Sequence, residues 1–323
     1  MAQTPAAGVS TYVAYGFETT YGTGVVCSRP FGHGAKISNN MRNNMERIYS
    51  LGARNASTAV AKKFEGSASV EFVLSHASFF RGVLGSVADS AGPSPYTHTY
   101  SEANTIPSIT IETGSELGSN DEISTFLGGK INTCTLTTAV GEVVRCRLEV
   151  PYKTMTLATT PLGTAPTISE DPLTFAEATL SIGGTINYVQ SIEITFNNTL
   201  ELLWGLGSRL ASATIEKMRE YNVRMTVAFS NVTQLMTKFL GASGAPTDPT
   251  TPAAQATLVL TLSNGLSTTY LRSVVITLAN LYLDVDTLPK DVNEIVKEDV
   301  EGFCLSGTSI IWTNETASDD DLP

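Results

Sequence analysis

Charge is scarce in this chain. Lys and Arg number 20 and Asp and Glu 31 among 323 residues, 16% in all, against roughly 25% in soluble domains. So few charges suggest that other protein covers much of the surface. The balance, −11 with an isoelectric point near 4.8, argues against a nucleic-acid-binding surface, which needs Lys and Arg patches to neutralise phosphates. Histidine, the commonest general base and metal ligand, occurs only at His33, His76 and His98. None lies in an HExxH pattern, and GxSxG, P-loop and spaced aspartate patterns are missing too. No catalytic residue, cofactor or metal site is therefore expected, and the chain reads as a non-enzymatic protein. Asp319-Asp320-Asp321 reads as a solvated tail rather than a cation site.

Long apolar runs are missing as well. Nothing approaches the ~18–20 residues of a membrane helix, and MAQTPAAGVSTYVAYGF at the N-terminus lacks a basic segment followed by an apolar one, so neither membrane span nor export signal is expected. Folding in the cytoplasm would keep thiols reduced. Cysteine is limited to Cys27, Cys134, Cys146 and Cys304, with no CxxC or other metal spacing. Cys134 and Cys146 lie equally far from Val140, the centre of an expected hairpin turn. They read either as reduced core thiols or as a pair facing each other across two strands.

What the chain does have is a passage written twice. MERIYSLGARNASTAVAKKFEGSASVEF (45–72) returns as LELLWGLGSRLASATIEKMREYNVRMTVAF (200–229). Leu51, Gly52, Arg54, Ala56, Ser57 and Lys62 recur as Leu206, Gly207, Arg209, Ala211, Ser212 and Lys217 at one offset (206 − 51 = 155). Asn43-Asn44 answers Asn197-Asn198, and Leu84-Gly85 answers Leu240-Gly241, with a drift of a residue or two. Repeats decide architecture. A period of half the chain is the size of a domain, which predicts a duplicated domain.

Local patterns fill in the elements. FEGSASVEFVL (64–74) alternates at period two, as a half-buried strand does. HASFFRGVLGS then turns to helical spacing, with Gly85 as the C-cap. Residues 86–107 have no clear period and read as a loop. PSITIETG, GGKINTCTLTT and GEVVRCRLEVPYKTM are β-branched strands, the last two meeting at Val140. In the second half FAEATLSIGG and NYVQSIEITFNN predict a hairpin through Gly183-Gly184, with Ile192, Ile194 and Phe196 on one face. The strand NVRMTVAF, the helix VTQLMTKFLG and four further strands follow, and ETASDDDLP is expected to be disordered. The boundaries are an arm and first strand (1–36), copy 1 (37–158), a proline-bearing linker (159–173), copy 2 (174–314) and an acidic tail (315–323). Many short strands with one short helix per copy predict all-β sandwiches or barrels.

The GFETTYGTG opening, the NN…SLGAR and NN…GLGSR loops, the strand and helix ending in Leu-Gly after each, and FAEATLSIGGTINYVQSIEITFNN resemble the major tail tube proteins of long-tailed bacteriophages and related tailed viruses. The resemblance spans most of the chain. It implies a mainly β fold: two tandem copies of a tail-tube-type sandwich or barrel, each with a short flanking helix and a long stacking loop. It implies a virion structural protein that assembles in the host cytoplasm. Copies would join side by side into rings, and rings would stack into a tube through which DNA passes without specific binding. Partners would be other copies of the chain and the tape measure, tail terminator and tip proteins. A duplicated chain would need three copies where single-domain members need six; a hexamer with one half outside the ring is the competing arrangement.

Loops 45–66 and 200–221 are long for hairpin connections, and exposed apolar residues on them would mark an interface. Leu51, Gly52, Arg54, Leu203, Trp204, Leu206, Gly207 and Arg209 are therefore the expected contacts between subunits or rings. The guanidinium forks of Arg54 and Arg209 suit a carboxylate partner. The negative charge predicts a bore that repels DNA within about a Debye length, ~8 Å at physiological salt. The alternative reading is a repeated β-sandwich adhesin, surface or capsid-decorating protein, a class whose adhesins and surface-layer members normally carry an export signal.

Overall fold

The computed structural model describes residues 11–115, 122–168, 170–186, 188–228, 239–240, 255–266, 271–287 and 295–319. Strands dominate. In the first half β1 (Thr11–Phe17), β2 (Arg29–Pro30), β3 (His33–Arg42), β4 (Met45–Tyr49), β5 (Ala56–Ala61) and β6 (Glu65–Val73) lead to one helix, α1 (Phe80–Leu84). After it come β7 (Gly85–Asp89), β8 (Tyr96–Glu102), β9 (Ile109–Ser115), β10 (Glu122–Gly129), β11 (Thr133–Ala139), β12 (Arg145–Tyr152) and β13 (Thr154–Ala158). The second half holds β14 (Thr179–Ile182), β15 (Thr185–Ile186), β16 (Val189–Asn197), β17 (Leu200–Leu203), β18 (Ala213–Glu216), β19 (Glu220–Ala228), β20 (Ala256–Ser263), β21 (Ser273–Thr287), β22 (Lys297–Cys304) and β23 (Thr308–Asn314). In β22, Glu298, Val300, Gly302 and Cys304 are buried while the residues between them are exposed. That is the period-two pattern of a strand with one face on a core.

In the first half one sheet runs β13-β10-β9-β1-β2, and the other runs β11-β12-β6-β3. In the second half the neighbours run β23-β21-β20-β14-β15 and β21-β22-β19-β16. The two lists have the same order once β21 stands for both β10 and β11. Its residues 273–281 pair with β20 and, up to Leu278, with β23, while 281–287 pair with β22. In the first half residues 130–132 interrupt the equivalent run. Registers agree as well: Arg42↔Glu65 and Asn197↔Glu220 end the β3·β6 and β16·β19 ladders. The halves join where β11 pairs with β16, from Thr133↔Asn197 to Ala139↔Ser191.

The core lies between the sheets. Tyr15, Ile111 and Phe126 from one sheet, with Phe31 just past β2, meet Val70, Phe72, Leu148 and Val150 from the other. Phe31 and Phe72 are 5.6 Å apart and Phe126 and Tyr152 5.0 Å, and the core continues into the second half through Phe80 and Phe196 at 6.3 Å. Helix α1 ends at Gly85, as expected from sequence. Its φ is 113°, and an added Cβ would meet the Thr105 carbonyl oxygen at 2.7 Å.

Four expectations change. Residues 86–107 are not all loop, since β8 pairs with β7 and with β23; its buried positions are His98 and Tyr100, which hide the apolar period. The turn at Gly183-Gly184 folds β14 onto the short β15, whereas β16 pairs with β19 and β11. Ile192, Ile194 and Phe196 are buried on one face of β16, as read. The β11·β12 register opposes Cys134 to Leu148 and Leu136 to Cys146, so the turn centres one residue past Val140. The two thiols sit diagonally, Sγ to Sγ 3.6 Å, and are free; burial and then Cys134 push the Cys146 thiol well up. Finally, the acidic end is not a solvated tail as far as Asp319, which is fully buried. The Tyr100 hydroxyl donates to its carboxylate at 2.7 Å, Arg29 and Arg81 each lie 3.5 Å away, and its own N–H donates to Asp89 at 3.0 Å. Residues 320–323 and most of VTQLMTKFLG lie outside the described residues.

Where the first half holds the two thiols, the second half holds acids. Asp286 opposes Val300 and Glu298 opposes Val227, as Cys134 opposes Leu148 and Cys146 opposes Phe72. Burial and then the Asp286 charge push Glu298 up to about 7, and burial raises Asp286. Such groups bind protons more tightly in the folded state. For Glu298 the stabilisation is complete below its ordinary value near 4.5 and is lost as the pH rises through about 7, and Asp286 acts in the same direction. Glu298→Gln should therefore flatten the fall in melting temperature between pH 5 and 8, so that its melting temperature gains on the wild type as the pH rises. Parallel pH profiles for wild type and variant in thermal melts would contradict this.

Candidate assembly surface

The two repeated passages are two-stranded ribbons, β4–β5 and β17–β18, that belong to neither large sheet. They pair in matching register, Met45↔Ala61 and Leu200↔Glu216. The chain enters each through a left-handed residue, Asn44 at φ 47° and Thr199 at φ 46°, and turns at Gly52 (83°) and Gly207 (90°). Nothing would crowd a Cβ at either glycine, so the requirement there is backbone conformation alone. Lys62 pairs with Glu46 at 2.6 Å and Lys217 with Glu201. Both pairs are exposed and contribute little.

The tips are apolar and bare: Leu51 and Leu206 are completely exposed. Tyr49 on the first ribbon is 62% exposed, and Met218 at the foot of the second is 77% exposed. These are the exposed apolar positions that mark interfaces.

The ribbons are not independent. Arg209 Nε donates to the Lys62 carbonyl at 2.7 Å and its Nη2 to Asn43 Oδ1 at 2.9 Å, while the Phe64 N–H donates to the Arg209 carbonyl at 2.8 Å. Trp204 Nε1 donates to the Phe64 carbonyl at 3.2 Å, and Lys63 Nζ sits 4.3 Å over the indole, a cation–π contact. The second ribbon thus rests on the foot of the first. Of the residues singled out by sequence, Trp204 and Arg209 are brought together here, with neutral oxygens in place of the expected carboxylate. Leu203, Leu206 and Gly207 lie along the second ribbon, and Leu51, Gly52 and Arg54 are exposed at the end of the first.

Sequence reading missed Asn132. Its Oδ1 accepts the Leu200 N–H and its carbonyl accepts the Asn198 N–H, both at 2.7 Å, which ties the root of the second ribbon to the first half. It also missed two open strand edges, with only the polar, exposed run of β3 as a signal. β3 ends its sheet, and residues 282–287 of β21 pair only with β22 among the described residues. Among those residues no three His, Cys, Asp or Glu gather to hold a metal ion, and no helix is long and apolar enough to cross a membrane.

Arg209→Ala removes both guanidinium hydrogen bonds. We expect a stability loss of only about 1 kcal/mol, given the exposure, with faster amide exchange at Phe64 and along 204–212. Unchanged exchange there would show that the ribbons do not lean on each other.

A search of curated protein sequences finds no significant match. The profile of the family described as phage tail tube protein matches residues 8–302, from before β1 into β22. With every strand but β23 and the end of β22, both ribbons and the junction between the halves inside the matched span, the chain belongs to the phage tail tube protein family.

Proposed function

We propose that copies of this chain join edge to edge into rings, and that rings stack into the tube through which viral DNA passes to the host. The observation that carries this reading is the β11·β16 junction. One chain already contains a sheet-to-sheet join, and the counterparts of its two strands, 282–287 of β21 and β3, have edges that no other described residue pairs with.

In this reading the chain is a duplicated domain. β1, β2, β3, β4, β5 and β6 correspond to β14 to β19 in order. β9 corresponds to β20, β10 and β11 together to β21, β12 to β22 and β13 to β23, and β7 and β8 have no counterpart among the described residues. Strand number, tilt and shear are linked in any closed sheet, so a chain that supplies two contributions needs half as many copies. Three chains would then close a ring with approximate six-fold symmetry. A hexamer with one half outside the ring is disfavoured, because both halves carry a ribbon with a bare leucine at its tip and both contribute to one sheet.

The tips at Leu51 and Leu206 then reach the neighbouring ring. The remaining partners are other tail proteins, among them the tape measure, terminator and tip, with assembly in the host cytoplasm. The bore is acidic, which keeps phosphates from being held by counterion release. Native mass or a cryo-EM cross-section of isolated rings should give three chains; six would sink the trimer. Shortening either ribbon at its tip should leave folded subunits that form no long tubes in negative stain, and normal tubes would refute the stacking role.

A further inference from the structure

We infer that the contact between the two ribbons of one chain is made again between chains, with Tyr49 and Arg54 of one copy seated on Met218 and Lys217 of the next. This rests on the ring reading above and adds to it the residues and the register.

Each participant has a counterpart already bound inside the chain. An offset of 155 turns Trp204 into Tyr49, Arg209 into Arg54, Lys62 into Lys217 and Lys63 into Met218. Trp204 and Arg209 are occupied by the foot of the first ribbon. Tyr49 and Met218 are exposed at 62% and 77%, and Arg54 is exposed too. Between copies, the Arg54 guanidinium donates to the Lys217 carbonyl, as Arg209 does to Lys62. The Lys63–Trp204 contact becomes a thioether against an aromatic ring, a favourable pairing.

The strand edges agree with this placement. An open edge is normally capped or charged to prevent pairing, and adding a strand is how such an edge recognises another chain. Thr133 opposes Glu149 and Asn197, and Val285 opposes Glu301, so Val285 of one copy falls opposite Arg42 of the next, and Thr287 opposite Asn40. Asp284 then stands where Asn132 stands. Its exposed carboxylate accepts the N–H of Met45 in the neighbour, as Asn132 Oδ1 accepts that of Leu200. Charge is complementary: β3 carries Lys36 and Arg42 and no acid, while 282–287 exposes Asp284 and carries no base.

The test is Tyr49→Cys combined with Met218→Cys in the full chain, oxidised after assembly; all four native cysteines are buried. Denaturing gels should show covalent dimers and trimers and nothing larger, while each single variant stays monomeric. Rings or tubes in negative stain without cross-linked product would overturn this contact and leave the ring reading standing. Dispersed particles from the wild-type chain under the same conditions would overturn both, whereas dispersal of the double variant alone would support the contact. A ladder reaching six would support the contact and overturn the three-chain ring. Independently, Arg54→Ala should raise the concentration for half-assembly about tenfold with the melting temperature unchanged. Wild-type assembly by that variant would count against the inference.

Discussion

The antiparallel pairing of β11 with β16 is the constraint on which the rest depends. It runs from Thr133↔Asn197 to Ala139↔Ser191, and it makes one sheet of what would otherwise be two. Because strand pairing fixes which face a residue takes, it also sets Phe196 against the core of the first half. At the end of β16 the Asn198 side chain donates to the Val83 and Ile131 carbonyls at 3.0 and 2.9 Å and accepts from Arg219 Nε at 3.0 Å. A buried amide satisfied in this way holds its position firmly, since losing any partner would strand a polar group. The second ribbon leaves the sheet at this point, so its contact with the first through Arg209 follows from the join.

The halves match in register and differ in chemistry. A thiol pair in one is an acid pair in the other, and where Lys63 lies over the indole of Trp204 the corresponding position in the other half holds a bare methionine, Met218. The run that breaks at residues 130–132 in the first half passes unbroken through β21 in the second. Such differences are tolerated because the ladder hydrogen bonds belong to the backbone and are indifferent to the side chains they carry. Side chains at corresponding points are then free to serve different neighbours.

How much of this was legible in the sequence depends on where each residue's partner lies. β6, β16 and β22 were readable from alternation, since one face of each meets the core. The ribbons have no such alternation: every residue of β4 is exposed, and repetition alone drew attention to them. β7 and β8 were read as loop because β8 is completed by β23, some two hundred residues on, as the Thr308 N–H donating to Glu102 at 2.8 Å illustrates. Arg209 has the chemistry to take a carboxylate, yet its acceptors are a carbonyl and an amide that only folding brings near. An acidic chain end reads as solvated unless one knows that β2, α1 and β8 will surround Asp319 with Arg29, Arg81 and Tyr100.

That last burial bears on the order of synthesis. The ribosome delivers the first half long before the second, yet the pocket beneath Arg29 and Arg81 is closed by Asp319, whose N–H is held by Asp89 across 230 positions of sequence. β8 likewise waits for β23 before its outer edge is paired. The first half therefore cannot complete this pocket, or the outer pairing of β8, until the last strand and the residues after it have been made. A chain stopped a few residues short of Asp319 would keep its strands and leave two arginines without their shared acid.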